Sequence, residues 1–119
     1  MGKKVLIVDD SPSMRQMVSF TLSEDGYEVI EADNGKAALG KLDGSALIIT
    51  DINMPEMNGI ELIKSIRGND AVKFVPIIVL TTESEQSKQD EGKAAGATAW
   101  IVKPFTPEKL KETVKKTLG

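Results

Sequence analysis

Short apolar runs alternate with longer amphipathic segments along the whole chain, and this alternation repeats in five rounds. The apolar runs contain four to seven residues, mainly Val, Ile, Leu and Ala, which is typical of strands covered on both faces of a parallel sheet. The longer segments place apolar residues at helical spacing. The pattern therefore predicts one three-layer α/β domain spanning residues 1–119, with helices on both faces of a parallel sheet.

The predicted strands are separated by turn residues and cover residues 4–8, 27–32, 46–50, 75–81 and 99–102. The first helix follows Ser11, a favoured N-cap residue, has Pro12 in its first turn and ends near Gly26. The next three helices are predicted at residues 34–42, 59–67 and 83–93. Thr106 is predicted to cap the last helix, which begins at Pro107.

Polar residues stand where four of the predicted strands end, and these residues are Asp9, Asp10, Asp51, Thr81, Thr82 and Lys103. The carboxyl ends of parallel strands lie at one edge of a sheet, because right-handed crossovers point every strand in the same direction. Ligands of open α/β sheets bind at this edge. We therefore expect carboxylates, hydroxyls and one ammonium group to converge there.

Composition excludes several classes of chemistry. The sequence contains neither Cys nor His, which rules out disulfides, thiolate catalysis, zinc-cysteine sites, serine triads and imidazole metal sites. Any phosphohistidine chemistry must therefore come from another protein. A net charge of −3 without a basic stripe argues against a nucleic-acid partner. No apolar run approaches the roughly 20 residues of a membrane-spanning helix, and no signal peptide is evident, so we expect a cytoplasmic protein without membrane association.

The adjacent carboxylates of Asp9 and Asp10 need an explanation beyond helix capping, because Ser11 already serves as the cap. Like charges about 4 Å apart repel by about 4 kcal/mol at an effective dielectric constant near 20, and a dication would remove this cost. Oxygen ligands without soft donors favour Mg²⁺ or Mn²⁺. Taken alone, Asp51 at a strand end is more often structural, and Lys103 would more often extend into water. The three carboxylates and Lys103 together favour a site that binds both a cation and an anion.

Four segments, "VLIVDDS", "TDINMPEMNG", "VLTT" and "AWIVKPF", occur in an order and spacing that resemble the receiver domain of two-component response regulators. The resemblance covers essentially all 119 residues. It implies a flavodoxin-like, doubly wound fold, with a five-stranded parallel sheet in the order 2-1-3-4-5 and five helices. It also implies that a histidine kinase donates a phosphoryl group to the domain.

The resemblance assigns roles residue by residue. Asp51 is implied to be the phosphoacceptor. Mg²⁺, which Mn²⁺ can replace, is implied to be held by Asp9, Asp10, Asp51 and the backbone carbonyl of Asn53. Phosphate contacts are implied for Lys103, Thr81 and Thr82, and a cis peptide bond for Lys103–Pro104. Thr81 and Trp100 are implied to form the switch, although most relatives have Tyr or Phe where Trp100 stands. The domain would catalyse its own phosphorylation and dephosphorylation without otherwise being an enzyme.

The predicted fourth helix, residues 83–93, has no large apolar side chain and contains Gly92, so it can bury little surface. A switching surface and simple fraying of the helix ends both fit this composition. Signalling is expected to pass through this helix, the last strand and the last helix. Because no further module follows Gly119, we expect the output to be another protein.

Within the family, the sequence is most similar to the stand-alone chemotaxis regulators (CheY-like), including the segment "SIRGNDAVKFVPIIVLT". This similarity implies a monomer that acts on the flagellar motor switch, with a phosphatase as a further partner. A receiver in a phosphorelay outside chemotaxis is the alternative. An Mg²⁺-dependent phosphatase of the haloacid dehalogenase type is disfavoured because it needs an Asp-x-Asp pattern after the first strand, where this chain has Asp-Asp-Ser. An FMN-binding flavodoxin is disfavoured because Asp9 and Asp10 would repel the phosphate of FMN.

Overall fold

Five parallel strands build one sheet in the computed structural model, which describes residues 3–118. The strands are β1 Lys4–Val8, β2 Glu28–Ala32, β3 Leu47–Thr50, β4 Ile77–Thr81 and β5 Ala99–Val102. The helices that connect or follow them are α1 Pro12–Glu24, α2 Gly35–Leu39, α3 Gly59–Arg67, α4 Gln86–Ala95 and α5 Pro107–Leu118. The order β2-β1-β3-β4-β5 confirms the topology implied by the resemblance.

The sheet separates two hydrophobic clusters because alternate side chains of each strand point to opposite faces. Val5 and Ile7 of β1 pack with buried residues of α1 and α5, whereas Leu6 and Val8 pack on the side of α2, α3 and α4. The three-layer arrangement predicted from the apolar runs is therefore confirmed. None of the helices in residues 3–118 is both long and apolar enough to cross a membrane.

Side-chain caps begin α1, α2, α3 and α5 beside the carboxyl ends of the strands; in α2, Asn34 Oδ1 accepts a hydrogen bond from the Ala37 N–H at 2.7 Å. Ser11 Oγ accepts a hydrogen bond from the Met14 N–H at 3.3 Å, and Thr106 Oγ1 accepts one from the Lys109 N–H at 3.1 Å, so both predicted caps are confirmed. Asn58 forms a reciprocal capping box with Glu61 at the start of α3. The caps fix the residue at which each helix begins, next to the loops that carry the functional residues.

Several predicted boundaries are wrong by one to three residues. β2 begins at Glu28 rather than residue 27, β3 at Leu47 rather than 46, and β4 at Ile77 rather than 75. Pro76 precedes β4 and has no N–H for the strand ladder. The predicted helix at residues 34–42 is shortened to α2 because Asn34 is its N-cap and Gly40 its C-cap.

The fourth helix lies later in the chain than the predicted residues 83–93. It covers Gln86–Ala95, and residues 82–85 form a loop after β4. The helix continues to Ala95 because Gly96, with φ of 119°, supplies the left-handed C-cap. Only Gly92 is buried in this helix. As expected from its composition, α4 therefore has no apolar face that could hold it on the sheet.

The carboxyl end of α4 is held instead by Arg67 at the end of α3. Its guanidinium donates from Nε and Nη2 to the Gly96 carbonyl oxygen at 3.1 and 2.7 Å. Nη1 donates to the carbonyl oxygens of Lys73 and Val75 at 2.9 and 2.6 Å. Burial lowers the pKa of Arg67 from its usual value. One side chain thus connects α3, the loop before β4 and the end of α4.

Candidate functional site

Three carboxylates meet where β1 and β3 end. Asp9 and Asp10 follow β1, Asp51 follows the neighbouring strand β3, and each offers a carboxylate oxygen within 4.8 Å of the other two. Asp9 is 3% exposed and Asp51 9% exposed, whereas Asp10 is open to solvent. The predicted convergence therefore occurs, with two buried acids and one exposed acid.

Lys103 supplies the positive charge at this cluster. Its Nζ lies 3.1 Å from Asp9 Oδ2 and 3.2 Å from Asp51 Oδ2, and only 12% of its side chain is exposed. Lys103 follows β5, which is separated from β3 by β4, so its side chain reaches across the end of one strand. One ammonium group faces three carboxylates, and the site therefore carries an excess of negative charge.

Backbone donors fix the carboxylate of Asp51. Its Oδ1 accepts hydrogen bonds from the N–H groups of Ile52 at 2.6 Å and Asn53 at 3.3 Å, while Oδ2 contacts Lys103. Hydrogen bonds from backbone N–H groups to a carboxylate are charge-assisted and directional. The plane of the Asp51 carboxylate is therefore set before any ligand binds.

Asp9 is held by a different set of contacts. Its Oδ1 accepts a hydrogen bond from the Ser11 N–H at 2.9 Å, and Oδ2 accepts one from Lys103. Asp9 is not the cap of α1, because Ser11 fills that position. Within residues 3–118, no hydrogen bond engages the side chain of Asp10. This exposed carboxylate is thus available for a ligand.

The donor set of the cluster fits a hard dication. Mg²⁺ binds oxygen ligands at 2.0–2.1 Å in octahedral geometry, so two oxygens on one ion lie about 3 to 4 Å apart. Oxygen atoms that are already within 4.8 Å of one another need only small side-chain rotations to reach this spacing. Carboxylates without nearby nitrogen or sulfur ligands favour Mg²⁺ or Mn²⁺ over zinc.

The other predicted site residues occupy different environments at the same edge. Thr81 ends β4 and is fully buried, and its Oγ1 accepts a hydrogen bond from the Glu83 N–H at 3.3 Å. Thr82 is exposed, and among residues 3–118 no hydrogen bond joins its side chain to the acidic cluster. Asn53 is exposed beside Asp51. The Lys103–Pro104 peptide bond is cis.

Trp100 is partly buried and linked to the loop after Thr81. Its Nε1 donates a hydrogen bond to the Glu83 carbonyl oxygen at 3.0 Å. The indole lies against Gly92 of α4, where an added Cβ would come within 2.5 Å of Trp100 Cζ3. The glycine therefore provides the space that this large aromatic side chain needs.

Gly59 is a site residue that the sequence analysis did not identify. It begins α3, and a Cβ at this position would overlap the backbone carbonyl of Asp51. The Gly59 N–H also donates to the Ile52 carbonyl oxygen at 2.9 Å. The close approach lets α3 support the backbone of the candidate phosphoacceptor. The available sequence signal is its place at the end of "TDINMPEMNG", one of the four segments that carry the family resemblance.

A model of the response regulator receiver domain matches residues 5–115, and the chain therefore belongs to this family. Among curated proteins, "Chemotaxis protein CheY1" of Helicobacter pylori is 48% identical over 120 residues, covering 98% of this chain and 97% of the relative. "Chemotaxis protein CheY homolog" of Campylobacter jejuni is 43% identical, covering 98% of this chain and 92% of the relative.

Solved structures agree with this assignment. Vibrio cholerae chemotaxis protein CheY4 superimposes with a TM-score of 0.94 at 50% identity, covering 98% of this chain and 99% of that chain. A CheY-like receiver domain protein of Methanospirillum hungatei gives a TM-score of 0.91 at 30% identity, covering 99% of this chain and 94% of that chain. The chain is therefore the receiver domain of a CheY-like response regulator with the flavodoxin-like fold.

Replacing Gly59 by Ala tests the close contact behind Asp51. We expect Gly59→Ala to lower the free energy of unfolding by about 2 kcal/mol, because the added methyl group must displace backbone. Urea denaturation measures the change. Gly40→Ala is the matched control, since the nearest atom to its Cβ is the Ala37 carbonyl oxygen at 3.6 Å. Equal effects of the two substitutions would contradict the role given to Gly59.

Proposed function

We propose that residues 1–119 form a phosphorylation-activated signalling domain that accepts a phosphoryl group on Asp51 from a histidine kinase. The observation that supports this most strongly is the Lys103 ammonium group shared by Asp9 and Asp51 inside a cluster of three acids. A purely structural ion pair needs one acid for one base. The excess carboxylates indicate a site prepared for a cation and for the phosphoryl anion it attracts.

In the proposed transfer, one carboxylate oxygen of Asp51 forms a bond to phosphorus as the bond between phosphorus and the donor's histidine nitrogen breaks. The imidazole keeps the electron pair of the broken bond. The N–H groups of Ile52 and Asn53 hold the carboxylate in position through Oδ1. Lys103 then pairs with an oxygen of the phosphoryl group, and Thr82 contacts another. Hydrolysis by water returns the carboxylate and releases phosphate.

The proposed metal ligands are the carboxylates of Asp9, Asp10 and Asp51 and the backbone carbonyl of Asn53. A bound Mg²⁺, or Mn²⁺ in its place, supplies positive charge that offsets the negative charge of the phosphoryl oxygens. Asp10 is the solvent-exposed member of this proposed ligand set. The domain thereby catalyses its own phosphorylation and dephosphorylation and is not an enzyme for a separate substrate.

Thr81 and Trp100 are the proposed switch. The Thr81 hydroxyl accepts from Glu83 and keeps its own hydrogen available, so it can turn to donate to a phosphoryl oxygen at this edge. This movement would shift Glu83, whose carbonyl oxygen accepts from the Trp100 indole. Trp100 in turn contacts Gly92 of α4. The structural change caused by the added charge would thus reach the proposed output surface, which consists of α4, β5 and α5.

The names of the relatives support chemotaxis as the pathway, with a protein such as the flagellar motor switch as the downstream partner. A cytoplasmic monomer that meets its histidine kinase and a phosphatase in turn fits this role. A phosphorelay outside chemotaxis uses the same chemistry and differs only in the partner. Pull-downs with and without a phosphoryl mimic distinguish these two pathways.

Phosphorylation by a small-molecule donor tests the proposed acceptor. Incubation with acetyl phosphate and Mg²⁺ should add one alkali-labile phosphoryl group, and Asp51→Asn should abolish it because an amide is not a nucleophile for this reaction. Intact mass and phosphate release measure the modification. Asp33→Asn is the matched control, because Asp33 is an exposed acid just after β2. Undiminished labelling of Asp51→Asn would place the acceptor elsewhere.

Thermal unfolding with and without Mg²⁺ tests the metal site. At ten times its dissociation constant, Mg²⁺ should stabilise the fold by about 1.4 kcal/mol. Asp10→Ala should raise the melting temperature of the metal-free protein by relieving repulsion, and should remove most of the Mg²⁺ effect. Asp70→Ala, which alters an exposed acid after α3, is the control and should retain the shift. The metal assignment fails if wild-type protein melts at the same temperature at every Mg²⁺ concentration.

A double-mutant cycle tests the contact between Gly92 and Trp100. In an ordinary helix, Gly→Ala stabilises by roughly 1 kcal/mol. Here we expect Gly92→Ala to destabilise the protein and shift the Trp100 emission to longer wavelength, because the methyl group displaces the indole. In the Trp100→Phe background, the same substitution should stabilise it. Denaturant unfolding of the four proteins measures the coupling, and equal effects in both backgrounds would disprove it.

A further inference from the structure

We propose that Arg15, oriented by Glu31, is a positioning residue that raises the affinity of the acidic site for its dication. Arg15 lies in the first turns of α1, and its Nη1 donates a hydrogen bond to the backbone carbonyl oxygen of Asp9 at 2.7 Å. Its Nε donates to Glu31 Oε1 on β2 at 3.2 Å. This inference rests on the proposed metal-dependent function, and it concerns two residues outside the predicted site.

The hydrogen bond from Arg15 completes the immobilisation of Asp9. The Asp9 N–H donates to the Ala32 carbonyl oxygen at 3.1 Å, Oδ1 accepts from Ser11, and Oδ2 accepts from Lys103. The backbone carbonyl is the one remaining polar group of this residue, and Arg15 holds it. Every hydrogen-bonding group of Asp9 is therefore engaged.

Holding the Asp9 carbonyl also orients Asp10. The carbonyl belongs to the planar peptide group that connects the two residues, so fixing its oxygen fixes the nitrogen and Cα of Asp10 on the other side. Among residues 3–118, no hydrogen bond restrains the Asp10 carboxylate itself. Its direction towards the metal site consequently depends on the peptide plane that Arg15 sets.

The geometry of the guanidinium explains why an arginine suits this position. Its side chain is 17% exposed, compared with 40% for Glu31. The planar guanidinium directs Nε to Glu31 on β2 and Nη1 to the Asp9 carbonyl in the loop after β1, whereas a lysine ammonium offers no comparable fixed geometry. Arg15 thus connects α1, β2 and the loop after β1. Groups that orient metal ligands in this way commonly change metal affinity by about 10-fold or more when removed.

The sign of the effect separates positioning from simple electrostatics. A positive side chain near a cation site weakens cation binding, so removal of the Arg15 charge alone would strengthen Mg²⁺ binding. Removal of a positioning residue instead weakens Mg²⁺ binding, because Asp10 loses its fixed direction. The substitution Arg15→Gln therefore has opposite expected outcomes under the two explanations.

The experiment is calorimetric titration of the intact protein with Mg²⁺ alone. We expect Arg15→Gln to raise the dissociation constant about 10-fold, Glu31→Gln to raise it in the same direction, and Arg15→Lys to recover part of the affinity. At Mg²⁺ concentrations that saturate each variant, the rate of labelling by acetyl phosphate should stay within about twofold of wild type, since only ion binding is impaired. Lys111→Gln is the charge-matched control, because Lys111 pairs with Glu24 and Asp25 on the surface.

Three results would overturn the inference while leaving the proposed function intact: unchanged Mg²⁺ affinity in Arg15→Gln, tighter binding in that variant, or equal weakening in Lys111→Gln. Absence of Mg²⁺ binding by the wild-type protein would overturn both. Melting curves without metal report separately on folding. If Arg15→Gln does not fold, Glu31→Gln and Arg15→Lys decide the question, and wild-type affinity in both would overturn the positioning role.

Discussion

The shared ion pair of Lys103 with Asp9 and Asp51 is the interaction on which the site depends, and it exists only because of the strand order. β1 and β3 are neighbours, and β5 lies two strands from β3, so three loops that are distant in sequence present their charges at one edge. These groups are 12% exposed or less at their side chains, and removal of one partner would leave an uncompensated buried charge. The excess of acid at this edge of the sheet is the observation that supports the proposed site for a cation and a phosphoryl group.

The apolar residues of the chain are concentrated in the sheet, α1, α3 and α5, which leaves α4 without a hydrophobic face. This helix is held by specific contacts instead: Arg67 donates to the Gly96 carbonyl, and Trp100 packs against Gly92. Elements with little buried surface are the ones that move at low energetic cost. In the proposed switch, this helix, held at its carboxyl end and in contact with the Trp100 indole, would move in response to a change at Thr81.

Periodicity and strand-end chemistry were sufficient to predict the sheet, the five helices and the acidic cluster. The boundaries of β4 and α4 were wrong for local reasons. Val75 is a residue typical of strands, but Pro76 follows it and cannot donate to the strand ladder. Residues 83–85 have helix-forming composition, but Glu83 uses its N–H and carbonyl to bond Thr81 and Trp100. One local and one tertiary hydrogen bond, both made by the backbone of Glu83, outweighed the local preference for helix.

The sequence by itself determined that acids, hydroxyls and one lysine would follow strands of a parallel sheet, because strand direction and crossover handedness leave one edge for all of them. Only the tertiary structure decided how their supports are arranged. Arg15 and Glu31 are 16 residues apart and on different elements, and neither their direct hydrogen bond nor the one from Arg15 to the Asp9 carbonyl follows a sequence periodicity. The contact of Gly92 with Trp100 and that of Gly59 with Asp51 depend on interatomic distances after packing. The hydrophobic pattern of the sequence places a residue at the edge of the sheet, but only the packing of the folded chain brings particular atoms into contact.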